Sequence, residues 1–185
     1  MVSSKAGDGE LKETIEAIMA GNVDQFGTIV RHYQRQLLTH ATYMLGDAAT
    51  AEDAVQETFV AVFKYINTFD PDRAFNPWIF MILKNICKRY RRKLWLRPLS
   101  MEAITETMEF PAEEDVEKTA LSRDFLKRLG DEILKLPGKY REVFLLRHVN
   151  GLAYTEIAET LEVSVEVVKV RLFRARRMLK GKLDA

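Results

Sequence analysis

Apolar residues recur at helical spacing along most of the chain, and no stretch keeps the period-two alternation of a half-buried strand. Leu11, Ile15 and Ile18 mark a first helix over 10–20, stopped by Gly21-Asn22. Phe26, Val30, Tyr33, Leu37, Ala41 and Met44 predict a longer one that closes at Gly46-Asp47. Val55, Phe59, Val62 and Ile66 give a third over 50–66, opened by Thr50 with Asp53 as a capping pair. Pro77 begins a fourth, reaching about residue 96, with Trp78, Ile79, Ile82, Leu83 and Ile86 turned inward. The period lapses from Pro98 to Val116 and resumes at Leu121, Phe125, Leu129 and Ile133, in a helix stopped by Pro137-Gly138. Tyr140, Val143, Phe144 and Leu146 mark the next. The pattern predicts an all-α fold of two helical domains, 10–97 and 118–185, joined by a linker over 98–117.

The stretch from Leu152 to Lys182 predicts two helices joined by a tight turn. Ile157, Ala158 and Leu161 form the apolar side of the first. Val163 points inward within the turn, and Ser164 is placed to accept a hydrogen bond from the next helix's unpaired amides. Val168, Leu172, Ala175 and Leu179 make one buried stripe on the second helix. Off that stripe lie Lys169, Arg171, Phe173, Arg174, Arg176, Arg177, Lys180 and Lys182, with no acid between Val167 and Leu183. A helix anchored along one side and cationic on the others is shaped to enter the DNA major groove, as the second helix of a helix-turn-helix does. An ordinary solvated hairpin would mix both charge signs.

Composition narrows the classes. At 185 residues and 47% hydrophobic content the chain can build real cores. No apolar run reaches membrane-spanning length, and the start, MVSSKAGDGELKE, lacks the apolar segment of a signal peptide, so a cytoplasmic location without membrane insertion is expected. The single cysteine, Cys87, excludes an internal disulfide, and His32, His40 and His148 show no ligand spacing. We therefore expect no metal and no cofactor. No carboxylate cluster or nucleophile–base pair points to an enzyme. The net charge of +1 hides a segregated distribution. Bases concentrate over Lys88–Arg97 and Lys169–Lys182, while Glu102, Glu106, Glu109, Glu113, Glu114, Asp115 and Glu117 make the linker acidic.

Two further constellations carry chemistry. Glu52, Asp53, Gln56 and Glu57 crowd the first turns of the third helix, either complementing its dipole, worth ~0.3–1 kcal/mol, or forming a docking patch. Phe69, Phe75, Trp78, Tyr90 and Trp95 lie beside Lys84, Asn85, Lys88, Arg89, Arg91 and Arg92, which sets stacking platforms next to phosphate partners, as an unstacked single strand requires. The alternative is that most of these aromatics are core.

The segment TAEDAVQETFVAVFKYINTFDPDRAFNPWIFMILKNICKRYRRK (Thr50 to Lys93) resembles region 2 of the bacterial sigma-70 family, extracytoplasmic-function group. LPGKYREVFLLRHVNGLAYTEIAETLEVSVEVVKVRLFRARRML (Leu136 to Leu179) resembles region 4 of the same family, with no room between them for a region 3. The resemblance implies that Asp53, Gln56 and Glu57 contact core RNA polymerase. It implies that Phe75, Trp78, Asn85, Lys88, Arg89 and Arg92 take the melted minus-10 strand of promoter DNA. Lys169, Val170, Arg171, Phe173, Arg174, Arg176 and Arg177 would read the minus-35 duplex, with Tyr154 and Thr155 on the preceding helix positioning the backbone. An anti-sigma factor as regulatory partner and a monomeric free state are implied as well. This chain departs from the family's usual pattern at Glu166-Val167 (Gly-Thr), Val170 (often Ser), Arg89 (an acid) and Ala153 (a hydroxyl cap). The competing expectation is a stand-alone helix-turn-helix regulator with an N-terminal helical dimerisation or sensing domain, which would bind a two-fold symmetric site by itself.

Overall fold

The computed structural model describes residues 4–94 and 120–183, so the acidic linker lies outside the described residues. The described residues form eight α-helices: α1 (Ser4–Met19), α2 (Phe26–Leu45), α3 (Ala48–Tyr65), α4 (Phe75–Leu94), α5 (Ala120–Lys135), α6 (Gly138–His148), α7 (Tyr154–Leu161) and α8 (Val165–Leu183).

Three helix starts differ from the sequence expectation: α1 begins at Ser4, ahead of residue 10, and α3 and α4 differ for local reasons. α3 opens at Ala48 because Asp47 accepts a hydrogen bond from the Thr50 amide at 2.7 Å; Asp47 is the cap, and the Thr50–Asp53 pair is not. Asp47→Ala should therefore cost ~1 kcal/mol, read as a lower urea midpoint, whereas Thr50→Ala should cost less. α4 begins at Phe75, ahead of Pro77, which falls in the first turn where its missing N–H leaves no bond unmade. α2 ends where Gly46 turns left-handed at φ 74° and donates to the Thr42 carbonyl at 2.8 Å.

α2, α3 and α4 share one core, in which Ile29, Leu37, Ala41, Ala51, Ala54, Val62, Ile79 and Leu83 are fully buried. Ile133, Val143, Leu145, Ile157, Val168 and Ala175 continue the same buried cluster around α5 to α8. On α5 Leu129 and Ile133 pack inward as predicted, whereas Phe125 is 51% exposed. α4 is buried on more than its predicted face: Phe80 and Cys87 are as covered as Ile79 and Leu83. The extra cover is α7, which lies along α4 and couples the two halves.

Polar bonds reinforce that coupling. His40 Nδ1 meets Asn150 Oδ1 at 2.8 Å, and the Asn150 amide donates to the Gln36 carbonyl at 3.4 Å. Arg141 donates to the carbonyl of Tyr43 at 2.9 Å and to those of Leu134 and Leu136, so one guanidinium satisfies orphan carbonyls at the ends of α2 and α5. Lys84 donates to the Thr160 carbonyl and to Glu162, both at 2.8 Å. Glu162 is also the one non-glycine with positive φ among the described residues, at 55°, a conformation costing roughly 1 kcal/mol that glycine would escape.

Candidate nucleic-acid interface

α7 and α8 form the helix-turn-helix. α7 starts at Ala153, which has no side-chain oxygen to cap with; Glu156 reaches back to the Ala153 amide at 2.7 Å and supplies half of a capping box. Ser164 caps α8 loosely, accepting from the Val167 amide at 3.4 Å. Val168, Leu172, Ala175 and Leu179 anchor α8 as predicted, which turns Lys169, Val170, Phe173, Arg174 and Arg177 outward. Phe173 is 65% exposed and Val170 50%, large apolar groups set among cations on a solvent face.

Arg174, Arg176 and Tyr154 also have partners within their own half. Arg174 donates to the Tyr140 hydroxyl at 3.2 Å, a bond that draws the phenol pKa down, and Lys139 lies 5.1 Å over the Tyr140 ring. Tyr140, Val170, Arg171 and Arg174 line a shallow cleft of about 300 Å³ between α6 and α8. Arg176 donates to His148 Nε2 at 3.3 Å; burial first, then this guanidinium, hold the imidazole below its ordinary pKa and so neutral. Tyr154 is half-buried with Arg147 stacked 5.3 Å from its ring, while Thr155 is exposed.

On α4, Trp78, Asn85, Lys88, Arg89 and Arg92 fall on successive turns of one face, and all but Trp78 are exposed. Trp78 is half-buried, its ring 5.2 Å from Phe69 and 5.4 Å from Phe75. Phe75 is only 5% exposed, packed between Tyr33 and Trp78, so it is a support rather than an open stacking platform. Tyr33 donates to Asn76 Oδ1 at 2.6 Å, and Lys12 holds Asp72 at 3.1 Å, which fixes the loop over 69–76 against α2 and α1. A cleft of about 280 Å³ opens there, floored by Phe69 and Phe75 and rimmed by Arg73 and Glu156.

The third face belongs to α3. Asp53 and Gln56 are exposed, and Glu57, partly covered, forms an ion pair with Arg89 of α4. One and two turns on, the same face carries Val60, 66% exposed, and Phe63, 48% exposed and edge-on to Phe26 at 5.1 Å. Sequence reasoning missed these two, although the signal was present: they are apolar yet lie off the stripe Val55–Phe59–Val62–Ile66. Between α4 and the second half a further cleft of about 470 Å³ gathers Lys84, Lys88, Arg91, Lys139 and Arg171 around Glu142, whose carboxyl pKa is raised by burial against the pull of Lys84, Arg91, Arg171 and Lys88.

Comparison with known proteins agrees with this arrangement. The family models Sigma-70 region 2 and Sigma-70, region 4 match residues 29–97 and 126–179. The ECF RNA polymerase sigma factor SigW of Bacillus subtilis is 32% identical, over 94% of this chain and 96% of its own length. The RNA polymerase sigma-H factor of Pseudomonas aeruginosa is 29% identical over 94% and 93%. Among solved structures, CnrH in complex with the cytosolic domain of CnrY superposes with a TM-score of 0.70 at 28% identity, covering 94% of this chain and 96% of that one. The sigma factor RpoE of Bartonella quintana, solved with the anti-sigma factor NepR, shares the fold at a TM-score of 0.67 and 21% identity, over 86% and 97%. No described helix is long and apolar enough to cross a membrane. The chain belongs to the ECF group of sigma-70 factors, alternative sigma factors that direct RNA polymerase to its promoters.

Proposed function

We propose that the three faces divide the work of initiation. The exposed face of α3, with Asp53, Gln56 and Glu57 extended by Val60 and Phe63, docks on core polymerase. Trp78, Asn85, Lys88, Arg89 and Arg92 hold the minus-10 strand, with Phe75 bracing the loop beneath. Lys169, Val170, Phe173 and Arg174 read the minus-35 duplex, while Arg171, Arg176, Arg177, Tyr154 and Thr155 contact or position its backbone. The observation that carries this reading is the placement of Phe173 and Val170, exposed and apolar, beside Arg174 on an otherwise cationic helix. Such a face suits thymine methyl groups and base edges as well as phosphates. The protein works in the cytoplasm as a polymerase subunit rather than as an enzyme. An anti-sigma partner completes this reading, and the exposed Val60 and Phe63 are the apolar surface it would cover.

The packed form cannot engage both promoter elements at once. Their centres are about 25 base pairs apart, roughly 85 Å at 3.4 Å per base pair. A compact chain of 185 residues has a radius of gyration of about 16 Å. The bonds between α4 and α7 must therefore part in the initiation complex. Arg174→Ala tests the duplex assignment: selectivity for the upstream element in reconstituted holoenzyme should fall by ~1–3 kcal/mol. An equal loss on scrambled upstream DNA would make Arg174 a phosphate contact.

A further inference from the structure

α7 carries acids at three-residue steps, Glu156, Glu159 and Glu162, on the side that faces the first half of the chain. Glu159 pairs with Arg73 in the loop over 69–76. Glu162 pairs with Lys84 of α4 at 2.8 Å, and Lys84 donates to the Thr160 carbonyl as well. The Lys84 side chain is only 16% exposed, whereas Asn85 and Lys88 beside it are open to solvent. Two cations flanking Trp78 are thus held by carboxylates from the other half of the molecule.

Glu162 makes this contact from a left-handed backbone, φ 55°, where glycine is the unstrained choice. The turn between α7 and α8 needs that conformation but not a carboxylate. The Glu162 carboxylate pairs with Lys84, and the same hydrogen bond lowers the carboxyl pKa.

The geometry points to α7 as an internal mimic of a DNA strand: Glu159 and Glu162 occupy, on Arg73 and Lys84, the places that backbone phosphates of the minus-10 strand take. This rests on the reading of the 69–76 loop and α4 as the strand-binding surface. In the closed chain Arg73 and Lys84 are then unavailable to a strand, while Asn85, Lys88, Arg89 and Arg92 stay open. The outward face of α8 stays open in the same closed form, with Phe173 65% exposed. Duplex reading is therefore available before the clasp parts, and strand capture with Arg73 and Lys84 only after it.

The test uses the free full-length chain and a fluorescent single-stranded deoxyoligonucleotide of about 12 nucleotides, within the usual site size, carrying the minus-10 sequence selected by the holoenzyme. Glu162→Gly should bind it about tenfold more tightly, because the competent open fraction rises. Its radius of gyration in solution scattering should increase, and its unfolding midpoint should not fall, since glycine relaxes the turn. Glu159→Gln with Glu162→Asn should behave alike. Unchanged strand affinity in both variants overturns the mimic. Promoter melting by holoenzyme carrying Lys84→Ala separates the two ideas. A melting defect combined with no gain in Glu162→Gly removes the mimic alone, and normal melting removes the strand-binding reading on which it stands.

Discussion

Asp53→Ala combined with Glu57→Ala is expected to weaken binding to core RNA polymerase by on the order of 100-fold, as two charge-assisted hydrogen bonds of ~1.5–3 kcal/mol each are lost with partial compensation by water. The structure shapes how this should be read. Asp53 is exposed, whereas Glu57 also pairs with Arg89 across to α4. That pair is solvent-accessible on both sides, so its loss changes stability by less than ~1 kcal/mol. Asp53→Ala alone should therefore give a clear part of the effect with the Arg89 contact intact. Competition against the unmodified chain for core polymerase measures it. Unchanged affinity would reduce the patch to a helix-dipole feature of α3.

Acid should destabilise the protein through His40 by roughly 3 kcal/mol, the pKa difference converted at ~1.36 kcal/mol per unit. Burial pushes this imidazole down from 6.5 to about 4, against a smaller upward pull from Asn150. Only the unfolded chain takes up that proton between the two values, so stability falls as pH drops from about 6.5 towards 4 and is untouched above. The ring stands between the two halves, 2.8 Å from Asn150 and 5.5 Å from the Phe80 ring, with no carboxylate among these partners to stabilise the cation. Urea titrations from pH 7.5 to 4 should show a shallower loss in His40→Gln, which keeps a hydrogen-bonding group but does not titrate. Equal slopes in the two proteins would assign the acid sensitivity to other groups.

The order of the helices and both anchoring stripes around the helix-turn-helix were legible in the sequence, because long 3.6-period patterns are dominated by burial. Legibility failed where two elements distant in sequence meet. Phe80, Cys87 and His40 sit off their helices' main stripes and are buried because α7 and the 150 turn cover them, which no local period encodes. The partner of Lys84 was hidden for the same reason: it stands among open cations in the sequence, and its carboxylate comes from the end of α7. Phe75 read equally well as platform or core, and only its contacts with Tyr33 and Trp78 decide that it is packed away. The cap of α3 went one turn astray because Asp47 and Thr50 are both good cap residues and spacing alone cannot choose between them. Val60 and Phe63 show the opposite case. Their apolar character was visible, but exposure on the α3 face was needed to turn it into a docking surface.

The most direct test is reconstitution of the full-length chain with core RNA polymerase on a promoter library. We expect a stable complex that initiates from two-part promoters, with the upstream preference lost in Arg174→Ala and the downstream preference retained. Failure to bind core polymerase, together with tight autonomous binding to a two-fold symmetric duplex, would contradict the account.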